Sequence, residues 1–200
     1  MKQVDKKLEK FRPNYTVDHF TLISQIDLHL HHINYLIIDI DNTLAKTDSS
    51  QIPSAILNHL HRLIKNGQIK GITLVSNAGI YSKKRVKRAQ ILAKSIWQSE
   101  GFVKIVLAYW RPPFSKIDPN KPQLKPSPEP YELAMKLMGS NKTNTAVIGD
   151  QILTDILGGN LLGLFTIWIA KPLGPDNPIT WYKRWCEKYL ISKLNINIHY

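Results

Sequence analysis

Five short runs, each nearly continuous in apolar residues, constrain the fold of this chain more than any other feature. They are Tyr35–Ile38, Ile72–Val75, Val103–Ala108, Thr145–Ile148 and Phe165–Ile169. Each has the length of a strand, and none shows the strict polar alternation of a strand with one wet face. Segments with helical spacing lie between them. In Pro53–Lys65, Ile56, Leu57, Leu60 and Ile64 share a face with Ile52 just ahead; Pro53 suits a first turn and Asn66-Gly67 a stop. A basic amphipathic helix is expected over 82–98, with Val86, Ala89, Ala93 and Ile96 inward. Further helices are expected over 127–138, with Ser127 as N-cap and Pro128 at the first position, and over 153–162 and 180–194. Buried strands alternating with helices predict an α/β sandwich: a mainly parallel five-stranded sheet with helices on both faces. Residues 1–34 read as an N-terminal extension packing on that core, and 35–200 as a single domain.

Composition narrows the setting. The longest apolar stretch, Leu161–Ala170, is broken by Gly163 and is far short of the ~18 residues of a membrane span. The start, Met1-Lys2-Gln3-Val4-Asp5-Lys6-Lys7, has no apolar stretch behind it and does not read as a secretory signal. The lone Cys186 allows no internal disulfide and is expected to pack as a small hydrophobe, so a reducing cytoplasm is the simplest setting. A net charge of +12 favours polyanionic partners. Its densest block, Lys83-Lys84-Arg85-Val86-Lys87-Arg88, reads either as a solvated helix face or as a patch for an anionic membrane surface. Seven of the twelve prolines fall between Pro112 and Pro130, which predicts a stiff, extended loop.

The chemistry collects at one end of the predicted strands. In open parallel sheets ligands bind beyond the carboxyl ends of the strands. Asp39 and Asp41 follow the first run, Ser76 and Asn77 the second, and Gly149, Asp150 and then Asp155 the fourth; Lys125 lies late in the proline-rich stretch, just ahead of the next helix. Several carboxylates on one rim repel one another unless a cation balances them, and oxygen ligands with open positions suit Mg²⁺. Ser76 and Asn77 can donate hydrogen bonds to phosphoryl oxygens, and Lys125 adds a point charge. One carboxylate can then attack phosphorus while another, two residues on, handles the leaving group's proton.

This constellation resembles the haloacid dehalogenase superfamily of phosphatases. Asp39-Ile40-Asp41-Asn42-Thr43 is similar to its first motif, Ser76 to its second, Lys125 to its third, and Gly149-Asp150 with Asp155 to its fourth. The resemblance implies a Rossmann-like sandwich with the first strand central. It makes Asp39 the nucleophile and Asp41 the general acid/base. Asp39, the backbone carbonyl of Asp41 and Asp150 would hold Mg²⁺; Ser76, Asn77 and Lys125 would bind phosphate; Thr43 and Asp155 would support them.

A narrower resemblance spans about Phe11 to Leu190. Phe11-Arg12-Pro13-Asn14-Tyr15, together with Gly149-Asp150-Gln151-Ile152-Leu153-Thr154-Asp155-Ile156-Leu157-Gly158-Gly159-Asn160, is similar to the YqeG-like branch of subfamily IIIA. That branch includes phosphatases acting on phosphatidylglycerophosphate, so phospholipid biosynthesis and an anionic lipid headgroup are implied. Ala78 stands where the branch commonly has a second Asn. Lys116 and Lys121 share the proline-rich stretch with Lys125, which is preferred because a helix starts directly after it, 25 residues before Asp150. Only 36 residues separate Asp39 from Ser76, so no large cap domain is expected, and an open site suits a large substrate.

Other classes fit less well. A nucleic-acid-binding module explains the charge but not the acidic rim. A receiver domain carries its phosphorylated aspartate after a middle strand, not the first. A soluble or macromolecular phosphate ester is the alternative substrate class. The histidines His29, His31, His32, His59 and His61 complete no zinc pattern and read as surface or packing residues. Trp97, Trp110, Trp168, Trp181 and Trp185 are expected to pack or to sit at an interface. The expected enzyme is cytoplasmic, with peripheral membrane contact through the helix at 82–98.

Overall fold

The computed structural model describes residues 7–79, 83–97, 102–109, 122–175 and 178–196. The chain runs β1 (Tyr15–Val17), α1 (Gln25–Leu30), β2 (Tyr35–Asp39), α2 (Ser54–Lys65), β3 (Gly71–Gly79), α3 (Lys83–Ile96) and β4 (Val103–Tyr109). It continues through α4 (Glu129–Met138), β5 (Thr145–Gly149), a π-helical turn at Ile152–Ile156, α5 (Leu157–Leu162), β6 (Phe165–Ile169) and α6 (Pro178–Leu194). All six strands pair in parallel, in the order β1-β6-β5-β2-β3-β4. The five expected strands are present, and β1 adds a sixth at the edge, with Tyr15–Val17 pairing Ile167–Ile169. Three residues are too few to show a period, which is why the sequence carries no sign of it.

The continuous apolar runs are explained by two cores. Leu36 and Ile38 of β2, with Ile72, Leu74, Ala146 and Ile148, belong to one cluster, which α2 and α3 cover with Leu60, Leu63, Leu92 and Ile96. Ile37, with Val75, Val106 and Val147, belongs to a second, covered by Tyr131, Ala134 and Met135 of α4. Side chains alternate along a strand, so both sets must be apolar when both faces are buried. Residues from the N-terminal segment, among them Phe20, Leu28 and Ile33, complete the first core. A third cluster seats α6, with Leu190 and Leu194 against Ile152, Ile156 and Trp168.

Some boundaries differ from expectation. α4 begins at Glu129 rather than Ser127; the Ser127 hydroxyl accepts a bond from the Glu129 N–H at 3.4 Å, so it sits one residue outside the expected capping position. The helix expected at 153–162 opens as the π turn before becoming α-helical at Leu157. Among the histidines, His59 is buried with Nε2 2.9 Å from the Ile23 carbonyl, and His31 stacks on Phe165. Lys116, Lys121, Trp110 and most of the proline-rich stretch lie outside the described residues, as does the side chain of Trp181.

Candidate active site

The sheet order brings the predicted rim together. β2 lies between β3 and β5, with Asp39 opposite Val75 and Ile38 opposite Ile148. Asp39 and Asp150 therefore emerge side by side where β2 and β5 end, with Ser76 beside them on β3. β3 runs past Val75 to Gly79, so Ser76, itself buried, is still held by the sheet.

Lys125 reaches this rim from the segment before α4. Its Nζ donates to Asp39 Oδ1 at 2.5 Å, to Asp155 Oδ1 at 2.7 Å and to the Val75 carbonyl at 3.3 Å. Its side chain is 3% exposed, so the lysine is a buried cation between two carboxylates. Asn77 aims it: the amide oxygen accepts the Lys125 backbone N–H at 2.9 Å, and the amide nitrogen donates to the Lys125 carbonyl at 3.5 Å. The Asn77 side chain thus holds the lysine's backbone from the neighbouring strand.

The glycine-rich string after β5 has a packing explanation. A Cβ on Gly149 would lie 2.3 Å from Asp155 Cβ, so only glycine lets Asp155 fold back onto the strand end. Asp155 Oδ2 accepts the Gln151 N–H at 3.2 Å, which leaves Oδ1 to Lys125. Gly158 makes room for the Tyr131 ring, whose hydroxyl donates to the Thr154 carbonyl at 2.9 Å. Asn160 donates to the carbonyls of Lys10 and Arg12, both at 2.8 Å, while Asn14 accepts the Thr166 N–H at 2.8 Å. The two strings that carry the narrower resemblance are therefore in contact: the first anchors the backbone that positions the second.

Asp41 has a different setting. β2 ends at Asp39, and Asn42 turns the chain with φ 63°. The Asp41 carboxylate accepts a bond from Arg88 of α3 at 2.8 Å and is partly exposed. Arg88 also donates to the carbonyls of Ser49 at 2.7 Å and Lys46 at 3.1 Å, tying down the loop after Asp41. Thr43 is buried and donates to Asp150 Oδ1 at 3.2 Å. Arg184 of α6 closes the other flank, binding both the carboxylate and the backbone carbonyl of Asp150 and pairing with Glu187 at 3.0 Å.

Arg88, Arg184 and Glu187 were not among the predicted site residues, although the sequence carries a trace of the first and the last. Arg88 precedes Leu92 by four positions, and Glu187 precedes Leu190 and Leu194 by three and seven; both charges stand on the apolar stripe of a helix. A charge in that position calls for a buried partner.

The cluster carries more negative than positive charge. Among the described residues, buried Asp39, Asp150, Asp155 and Glu187 face Lys125 and Arg184, a formal excess of two negative charges. Burial, followed by repulsion from Asp155, Asp150 and Asp41, holds the Asp39 carboxyl well above its ordinary 3.8 against the pull of Lys125. Burial pushes Asp150 up to about 7 despite Arg184. Burial alone would pull the Lys125 ammonium down, but Asp155 and Asp39 outweigh it and keep it firmly charged. Carboxylate oxygens of Asp39, Asp150 and Asp155 lie within 4.8 Å of one another. An all-oxygen set short of two positive charges fits a hard divalent cation. The sequence expectation placed Asp155 outside the ligand set, whereas the geometry also puts its carboxylate within reach.

The chain is 27% identical to "Probable phosphatase YqeG" of Bacillus subtilis (strain 168), with 94% of each covered. It is 26% identical to the mitochondrial phosphatidylglycerophosphatase of Saccharomyces cerevisiae, over 79% of this chain and 78% of that one. In fold it resembles the p-nitrophenyl phosphatase of Archaeoglobus fulgidus, with a TM-score of 0.50, 14% identity, and 84% of this chain and 95% of that chain covered. Residues 1–174 match the family described as mitochondrial PGP phosphatase. The chain belongs to that family, a YqeG-like branch of the haloacid dehalogenase phosphatases, and is a phosphoric monoester hydrolase.

Proposed function

We propose that the chain is a Mg²⁺-dependent phosphatidylglycerophosphate phosphatase that works through an aspartyl-phosphate on Asp39. The observation that carries this reading is Lys125 held between Asp39 and Asp155, beside Ser76 at the strand ends. Lys125 fixes Asp39 by Oδ1, so Oδ2 is the attacking oxygen. It forms the new bond to phosphorus as the ester P–O bond breaks. Asp41, held by Arg88 at Oδ1, gives a proton from Oδ2 to the leaving alkoxide. Asp41 then takes a proton from the water that attacks phosphorus, which releases inorganic phosphate and restores Asp39. Ser76 binds the phosphoryl oxygens, and Asn77 keeps Lys125 placed to offset their charge. Asp39, Asp150 and the Asp41 backbone carbonyl would hold Mg²⁺, with Thr43 and Asp155 in support; the ion would supply charge neutralisation at the phosphoryl group.

The lipid substrate is supported by the family, by the mitochondrial relative in yeast and by the open rim, which carries no inserted cap domain among the described residues. The basic α3 and the lone Cys186 support an enzyme that works in a reducing compartment and touches the membrane peripherally. No helix among the described residues is long and apolar enough to cross a membrane. Family membership sets aside the nucleic-acid-binding reading. The test is phosphate release from phosphatidylglycerophosphate against a panel of soluble phosphate esters, with and without Mg²⁺. Preference for the lipid, dependence on Mg²⁺ and silence of Asp39→Asn are expected. A strong preference for a soluble ester would overturn the substrate, and Mg²⁺-dependent turnover by Asp39→Asn would overturn the mechanism.

A further inference from the structure

The site uses only one face of α6. Glu187, Leu190 and Leu194 point inward, and Arg184 on their flank reaches Asp150. The opposite face has no assigned work. Trp185 is 66% exposed and Tyr189, one turn on, is 61% exposed. Lys188, Ser192 and Lys193 share that face, and the Lys193 ammonium lies 5.5 Å from the centre of the Tyr189 ring. The only acidic residue from Pro178 onward is Glu187, which is buried, so no negative side chain interrupts this stripe. Among the described residues, these two large aromatics stand mostly in water, one helical turn apart and set among lysines.

We propose that the outward stripe of α6, formed by Trp185, Lys188, Tyr189 and Lys193, docks the protein on an anionic lipid bilayer with the catalytic rim turned toward the headgroups. Indole and phenol rings have an apolar body and a polar edge, which suits them to the boundary between headgroup and acyl chain. Lysines bury their stems there and keep the ammonium among lipid phosphates. The placement favours the same occupant. Trp185 directly follows Arg184, so the stripe begins on the helical turn that reaches Asp150. On the other side of the rim, Arg85 donates to the Asn77 carbonyl at 3.0 Å, and Lys83, Lys84 and Lys87 beside it are exposed. Two cationic borders thus flank one open row of strand ends. An acidic protein would satisfy the lysines, but the exposed indole and phenol match an interface that is wet on one side and apolar on the other. The choice of a bilayer rests on the lipid-phosphate reading of the active site.

The experiment is co-sedimentation of the full chain with phosphatidylcholine vesicles, with and without phosphatidylglycerol, all lacking any phosphatase substrate. Binding to the anionic vesicles alone is expected. Replacing both Trp185→Ala and Tyr189→Ala should weaken it by about tenfold or more, and Trp185→Phe with Tyr189→Phe should restore most of it. Lys188→Gln and Lys193→Gln should each cost roughly fivefold and reduce the sensitivity to salt. Hydrolysis of a soluble aryl phosphate should be unchanged in all of these variants, which shows that the catalytic domain is intact. Failure of the wild type to bind anionic vesicles, or full binding by the double alanine variant, would overturn the docking surface. So would burial of the stripe in a dimer that Trp185→Ala dissociates. Docking through the stripe without hydrolysis of phosphatidylglycerophosphate would retire the substrate and keep the surface. Hydrolysis in detergent micelles without vesicle binding would do the reverse.

Discussion

Asp39 and Asp41 are the same residue type two positions apart, yet they stand on opposite sides of a boundary. Asp39 is buried against Lys125, whose side chain is 3% exposed, within a cluster two positive charges short. Asp41 pairs with Arg88 at the surface, its own side chain 29% exposed. A buried ion pair is strongly destabilising to break, because the remaining charge has nowhere to go. A partly exposed pair is worth about 0–1 kcal/mol, because water replaces the partner. The site therefore divides its labour by dielectric. The dry side stores electrostatic tension that a divalent cation and a phosphoryl group can relieve. The wet side keeps a carboxyl where protons pass to a leaving group and back from water.

The largest effect falls on the dry side. Lys125→Met leaves Asp39 and Asp155 buried without their shared cation, and a loss of about 3–5 kcal/mol in unfolding free energy is expected, together with loss of turnover. Urea unfolding measures it. A loss under about 1 kcal/mol would mean that the cluster is wetter than its burial implies, and the contrast with Asp41 would collapse. Next comes the missing charge. At about a hundred times its dissociation constant, Mg²⁺ should raise the unfolding free energy by about 2.7 kcal/mol, read as a concentration-dependent shift in melting temperature. Asp150→Asn should abolish most of that gain. A shift that survives in this variant would place the cation elsewhere.

How much of this was legible beforehand depends on what each residue leaves in the sequence. Both faces of the sheet are buried, so the strands appeared as unbroken apolar runs. The rim was legible because Asp39, Ser76 and Asp150 stand at the ends of apolar runs, Asp155 follows shortly after Asp150, and Lys125 lies just ahead of a helical segment. The difference between Asp39 and Asp41 was not. Period-two spacing puts both on the same side of a strand, and only the end of β2 and the turn at Asn42, with φ 63°, send Asp41 outward. Arg88 was hidden for another reason: it stands in a block of five basic residues, four of which have no role at the site that the sequence distinguishes from solvation. Its partners, the carbonyls of Lys46 and Ser49, depend on the path of a loop with no regular structure.

Arg88 gives an intermediate effect, since it belongs to the wet side yet has an 11% exposed side chain. Arg88→Ala removes three hydrogen bonds, two of them to loop carbonyls, and about 1–2 kcal/mol of stability is expected to go with them. Turnover should fall by about 10–100-fold, as for other residues that orient a reacting group. A normal rate with loss of stability would make Arg88 a loop anchor alone. Asp39→Asn should move stability the other way. Because the Asp39 carboxyl is held above 3.8, the folded protein keeps a proton that the unfolded chain releases, so wild-type stability falls as pH rises from 3.8 toward the raised value. Asparagine carries no charge to bury and still accepts from Lys125. A gain of about 1 kcal/mol at neutral pH, without Mg²⁺, is expected beside complete loss of turnover.

The smallest effect on stability is the sharpest test of the division. Asp41→Asn keeps the shape of the side chain and an oxygen for Arg88, and it removes a charge that water already screens. Its unfolding free energy should match wild type within about 0.5 kcal/mol. Its turnover should still fall steeply, because an amide can neither give the leaving alkoxide a proton nor take one from water. The loss should also depend on the leaving group. An aryl phosphate leaves as a stable phenolate and needs little help from an acid, whereas an alkyl ester such as the glycerol headgroup needs the proton. Read on the first step alone, the transfer of the phosphoryl group to Asp39, Asp41→Asn should therefore retain far more of its rate on the aryl ester than on the alkyl one, while Asp39→Asn is silent on both. Equal losses in that first step on the two esters would mean that Asp41 works through the fold of its loop, and the chemical boundary between the two aspartates would have to be redrawn.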